Sequence, residues 1–163
     1  MALTYDLAAA RLFGTVGGQH FSMDAVSGGG RGRVKGKPDS SFGSHLSTTQ
    51  EDAKANVRGG PLPSGEYACE YLQNHPPFHE CIHLRPLTST QHLLLTRVGG
   101  HRGLNSFYIH GRGPKGSDGC IVPFNHAERH RLNLAVRDNP GTHLKVINAA
   151  YALPALDDDR RMA

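Results

Sequence analysis

Residues Phe107–Phe124 read FYIHGRGPKGSDGCIVPF. A short aromatic strand, Ser106–His110, ends on a histidine. Glycines at 111, 113, 116 and 119 follow, and glycine accepts backbone conformations that other residues avoid. The chain can therefore turn back on itself before Ser117-Asp118-Gly119-Cys120 lead into the apolar pair Ile121-Val122. Such a return brings Cys120 within reach of His110.

A thiol is a good nucleophile once ionised, and a nearby imidazole promotes that ionisation. The ring in turn needs a third group to orient it. No acidic residue next to His110 in the sequence offers one, so the backbone carbonyl of Gly111 is the candidate. The backbone N–H groups of Gly119 and Cys120 are candidates for an oxyanion hole. Cys120 and His110 are thus the expected catalytic pair.

C-terminal to this segment, Asn125–Val136 is expected to be a helix. Asn125 is placed to cap it and Glu128, three residues on, to complete a capping box. Asn139-Pro140-Gly141 should stop it. His143–Ile147 then reads as a final strand with Leu144 and Val146 on one face. The acidic run Asp157–Asp159 belongs to a tail, residues 151–163, beyond a single domain spanning residues 1–150.

N-terminal to the segment, Leu3–Leu7, Leu12–Val16 and His20–Val26 alternate in strand fashion, with Gly17-Gly18 as a hairpin turn. Ser27–Lys37 is a basic, glycine-rich loop. Without a terminal Gly-Lys-Ser/Thr it is no phosphate-binding loop. Thr49–Val57 can form one short helix. In GGPLPSGEYACEY, residues Gly59–Tyr71, the residues Pro61, Pro63 and Gly65 set a tight turn. Strands Glu66–Leu72 and Glu80–Arg85 follow, flanking a breaker at Asn74–Phe78, and read as a hairpin with a long loop. Leu93–Val98 is another strand candidate, ended by Gly99–Gly103. The expectation is a single, mainly β domain with one clear helix after the cysteine.

Composition narrows the remaining classes. The chain has 163 residues, 37% hydrophobic and 20% charged, with 20 glycines and 10 prolines. It is long enough to bury a core and is neither a disordered nor a membrane-spanning composition. Its longest aliphatic run is Leu93-Leu94-Leu95. The formal net charge is +4, but the basic loop Arg31–Lys37 has no interleaved aromatics, so no nucleic-acid partner is expected. No Sec signal peptide is read at the N-terminus. Lys115 stands where a G-x-S-x-G elbow needs glycine, which disfavours Ser117 as a nucleophile. Cys69 and Cys81 lie one in each strand of the hairpin and are candidates for a disulfide across it; two reduced, buried thiols are the alternative. His79, Cys81 and His83 alternate along a strand, and His126 and His130 share a helix face. Neither set completes the four ligands zinc prefers, so no metal or other cofactor is expected.

His110-Gly111 followed by Ser117-x-Gly119-Cys120-Ile121 resembles the HG…SxGC(I/V) signature of L,D-transpeptidase (YkuD-type) catalytic domains. GGPLPSGEY at residues 59–67 resembles a segment of a shorter subgroup, the effectors delivered by type VI secretion systems. The resemblance spans about residues 3–150, with specific motifs only at 59–67 and 107–122. It implies a mainly β sandwich or barrel with a helix after the cysteine, and peptidoglycan stem peptides as substrate. Cys120 would be the nucleophile, His110 its base and Gly111 the ring-orienting carbonyl. Ser117 and Asp118 would shape the loop, with the Gly119 and Cys120 amides as oxyanion hole. The implied reactions are removal of the terminal D-Ala from tetrapeptide stems and its exchange for other D-amino acids.

The family often has histidine where this chain has Asp118, and arginine where it has Val122; Arg112 and Lys115 in the loop would then be candidates to supply the lost positive charge to a substrate carboxylate, with ordinary solvated charge as the alternative. The subgroup implies synthesis in the cytoplasm, delivery into a target cell's periplasm, a secretion-system carrier and a cognate immunity protein. A different cysteine peptidase or amidase using the same pair, and a non-catalytic wall-binding module, remain alternatives.

Overall fold

The computed structural model describes residues 2–27, 62–76, 78–91, 107–111 and 119–147. The basic loop beyond Ser27, the proposed helix at 49–57, the strand candidate at 93–98 and the tail at 151–163 all lie outside the described residues.

Eight strands close a barrel. They are β1 (Ala2–Asp6), β2 (Arg11–Val16), β3 (Gln19–Ser27), β4 (Gly65–His75), β5 (His79–Pro86), β6 (Tyr108–Ile109), β7 (Ile121–Pro123) and β8 (His143–Ile147). Around the barrel the order is β1-β2-β3-β7-β6-β5-β4-β8. Helix α1 (His126–Asp138) follows β7. The mainly β fold with one helix after the cysteine is as expected. No helix among the described residues is long and apolar enough to cross a membrane.

Period-2 alternation aims one set of side chains inward on every strand. Tyr5 pairs with Leu12 and Val146, and Leu12 with Met23. Tyr67 pairs with Leu144 and Pro86, and Ile109 with both Ile82 and Ile121. Tyr5, Tyr67, Leu3, Leu12, Leu84, Ile82, Ile109 and Ile121 are all fully buried. The two core tyrosines satisfy their hydroxyls on backbone carbonyls, Tyr5 on Ala25 at 2.9 Å and Tyr67 on Pro63 at 2.7 Å. Burial without such partners would cost about 1–3 kcal/mol each. Gly14 lies inside the wall at φ +146, where an added Cβ would stand 2.4 Å from the Ala2 carbonyl oxygen.

The β4–β5 hairpin differs from expectation. β4 continues through Asn74 to His75, and the turn is tight: Phe78 N–H donates to the His75 carbonyl at 2.8 Å. His79, at φ +61, closes the turn against His75, and the register shifts between Leu72 and His75. A left-handed residue ending a short loop is a common hairpin solution. The turn carries Phe78 onto the outer wall beside β6.

The proposed Cys69–Cys81 disulfide is not formed; both thiols are free and buried. The register explains why. Cys69 faces Leu84 and Cys81 faces Leu72, so the two cysteines point to opposite faces of the sheet.

Helix α1 starts as expected, with Asn125 Oδ1 accepting from Glu128 N–H at 2.9 Å. The reciprocal half of the capping box is not made, because the Glu128 carboxylate pairs with Arg131 at 2.8 Å. Arg131 also reaches the His20 carbonyl at 2.9 Å and lies 4.1 Å over the Phe21 ring, which fastens α1 to the β2–β3 hairpin. On the other flank Glu80 accepts from Tyr71 Oη, His130 Nδ1 and Asn133 Nδ2 at 2.8–2.9 Å, fastening α1 to β4 and β5. Burial alone would raise the Glu80 carboxyl; the Asn133, His130 and Tyr71 donors together hold it below its ordinary value.

Candidate active site

β6 and β7 run parallel, with Ile109 opposite Ile121, and the His110 N–H donates to the Ile121 carbonyl at 3.1 Å. His110 is the residue after β6 and Cys120 the residue before β7. With Ile109 and Ile121 aimed inward, alternation turns both His110 and Cys120 to the outer wall. His110 is 5% exposed and Cys120 7% exposed.

Gly119 has φ +105, a backbone state that L side chains rarely adopt. Its carbonyl accepts from the Ser27 hydroxyl at 3.1 Å, and the same oxygen of Ser27 accepts from Leu62 N–H at 2.9 Å. Ser27, fully buried, thus ties the end of β3, the segment before β4 and the residue preceding Cys120 into one knot. Sequence reading treated Ser27 only as the start of a loop; a lone serine at a strand end carries no signal of partners 35 and 92 residues away.

The His110 imidazole is held on two sides. Its Nδ1 contacts the Gly111 carbonyl, so the ring proton belongs on Nδ1 and Nε2 is left to accept. The Phe78 ring stacks on it with centroids 3.9 Å apart and planes 12° from parallel. Phe78 also packs on Tyr108 at 5.6 Å, and Tyr108 on His75 at 5.0 Å and His83 at 5.1 Å, forming an aromatic wall around the histidine. Sequence reading missed Phe78, because its place depends on the tight turn that replaced the expected long loop.

Burial pushes the His110 pKa below its ordinary 6.5; the Gly111 carbonyl opposes this and the Arg129 cation adds to it. The ring is therefore neutral near pH 7 and suited to accept a proton.

The other two thiols are poor nucleophiles. Burial pushes Cys69 up to about 12. Burial and then the nearby Glu80 carboxylate push Cys81 up to about 11. Both stay protonated at neutral pH.

Arg129 of α1 is a second residue sequence reading missed. Its guanidinium packs directly over Gly111, where an added Cβ would lie 2.7 Å from Cζ. The loop residues Arg112, Lys115, Ser117 and Asp118 lie outside the described residues. Of the histidines weighed as metal ligands, His126 contacts Arg129 and His130 contacts Glu80. Among the described residues no group of three histidine, cysteine or acidic side chains is placed to hold a metal.

No family model matches the sequence, and no curated protein matches it. Among solved structures the chain is similar to an L,D-transpeptidase from Xylanimonas cellulosilytica DSM 15894, with 16% identity and a TM-score of 0.40. That alignment covers 89% of this chain and 59% of the other.

Proposed function

We propose that this chain is a cysteine acyltransferase acting on peptidoglycan tetrapeptide stems. The observation that supports the reading is the parallel β6–β7 pairing, in which His110 and Cys120 flank the registered Ile109–Ile121 pair diagonally, both on the outer wall. The substrate class rests on the sequence motifs at residues 59–67 and 107–122.

In this reading Nε2 of His110 takes the Cys120 thiol proton as sulfur attacks the carbonyl carbon between diaminopimelate and the terminal D-Ala. The tetrahedral oxyanion is received by the backbone N–H groups of Gly119 and Cys120. Collapse breaks the C–N bond, and the protonated His110 gives its proton to the departing D-Ala amine. A thioester on Cys120 remains. Water, deprotonated by His110, releases a tripeptide; a D-amino acid amine attacking instead gives exchange. Both outcomes return Cys120 to the thiol.

The proposed biological role is antibacterial, with type VI delivery into the periplasm of a target cell and a cognate immunity protein in the producer. Directed to the periplasm of a test bacterium, the chain should arrest growth, and Cys120→Ala should not. Equal toxicity of the two would refute the catalytic role.

The chemistry is tested with disaccharide tetrapeptides. The expected product is the disaccharide tripeptide plus D-Ala, lost in Cys120→Ala. Cleavage at another amide would support a different cysteine amidase, and unchanged muropeptides would refute the enzyme reading.

A further inference from the structure

Four of the five arginines in the described residues fall into two groups. Arg11, Arg131 and Arg137 each sit on a carboxylate, of Asp24, Glu128 and Asp138 respectively, at 2.7–2.9 Å. Among the described residues Arg129 meets no carboxylate, and its one side-chain hydrogen-bond partner there is Nδ1 of His126 at 2.6 Å, which accepts only while that ring is neutral. A guanidinium has five N–H donors in a planar fork, so most of those on Arg129 are left to meet a ligand.

Its position is built. Arg131 and Glu80 fasten α1 on both flanks, at the β2–β3 hairpin and at β4–β5. That fixes the helix face from which Arg129 reaches Gly111. Glycine at 111 leaves room for the approach: an added Cβ would stand 2.7–2.9 Å from Cζ and both terminal nitrogens, and the guanidinium would have to shift. Gly111 is at once the residue whose carbonyl meets His110 Nδ1. The cation thus lies one residue from the proposed base.

We propose that Arg129 is the carboxylate-binding residue of this site, holding the α-carboxylate of the terminal D-residue beside the scissile bond. The same seat receives the carboxylate of an incoming D-amino acid, because leaving and entering amines occupy equivalent positions. The proposal rests on the cysteine acyltransferase reading. It gives the helix, rather than the residues flanking Cys120, the task of recognising the negative end of the substrate. A bidentate guanidinium–carboxylate pair fixes orientation as well as charge.

Two alkylating probes separate the proposal from the reading beneath it. Iodoacetate is an anion and iodoacetamide its neutral counterpart; both attack the same sulfur. The ratio of their rates at Cys120, read by peptide mass spectrometry, cancels any change in thiolate fraction. Arg129→Gln should lower the iodoacetate-to-iodoacetamide ratio about fivefold, the effect of one unit charge about 4 Å away when screened as strongly as in bulk water. Arg129→Lys should recover part of it. In parallel, wild-type protein should prefer a stem ending in D-Ala over one ending in D-alaninamide, and Arg129→Gln should lose that preference. A ratio unchanged by Arg129→Gln, with Cys120 still reactive, overturns the carboxylate site alone. Failure of Cys120 to react with either reagent overturns the acyltransferase reading itself.

Discussion

The wall formed by β1, β2 and β3 and the wall formed by β5, β6 and β7 belong to one barrel but are built differently. In the first, strands of five to nine residues pair antiparallel over five or six consecutive positions. In the second, β6 has two residues and β7 three, and the pair between them rests on one registered position. What the second wall lacks in ladder it makes up in side chains: the Phe78–His110 stack, the Ser27 knot at Gly119 and Arg129 over Gly111. The long ladders supply the stable frame, and the reactive groups sit where β6 ends and where β7 begins. Polar and strained features concentrate at that thin seam, as is common where function is carried.

The comparison can be broken from either side. His110→Ala should lower stem trimming by about 10²–10⁴-fold, the usual worth of a general base, with thermal unfolding little changed. Leu12→Ala, in the first wall, should do the opposite. It should cost about 2–5 kcal/mol in denaturant unfolding by opening a cavity among Tyr5, Met23 and their neighbours, while trimming per folded molecule persists. Should Leu12→Ala remove activity from folded protein, frame and seam are not separable.

Smaller changes sharpen the contrast. Ser27→Ala leaves the Leu62 N–H without its acceptor and should cost about 1–3 kcal/mol. It should also slow trimming, since Gly119 loses its tether. Ser27→Thr, if accommodated, should retain more of both. Phe78→Ala should cost about 0.5–1.5 kcal/mol of ring stacking. Its more telling readout is pH. With His110 held below 6.5 by burial, the neutral, active ring persists above that value and is lost as pH falls through the lower folded value. The unfolded chain takes up that proton first, so this group's contribution to stability also declines as pH falls below 6.5. Exposing the ring in Phe78→Ala should move the acid limb of the trimming profile upward, toward 6.5. An unmoved limb would show that Phe78 does not shape the histidine.

The first wall was legible because alternation is local. Phe21, Met23 and Ala25 declare their shared face within five residues, and Gly17-Gly18 marks the turn. The helix was legible too, from Asn125 at one end and Asn139-Pro140-Gly141 at the other. The seam was legible in its two ends only. A strand of two residues has no period to read, so β6 was expected longer than it is. The Cys69–Cys81 pairing failed because it depends on register, which the outlines of the two strands do not give: with Cys69 opposite Leu84 and Cys81 opposite Leu72, the two lie on opposite faces. Neither Phe78 nor Arg129 carries a motif; each reaches His110 or Gly111 only through tertiary placement of a turn and a helix.

The central claim is that Cys120 captures the stem's acyl group with His110 as its base. Its most direct measurement is intact-protein and peptide mass spectrometry of the chain quenched during turnover of a disaccharide tetrapeptide. The account predicts a thioester adduct on Cys120 with the mass of the disaccharide tripeptide acyl group, absent in Cys120→Ala and formed more slowly in His110→Ala. Tripeptide release that survives Cys120→Ala, or an acyl adduct on any other residue, would contradict it.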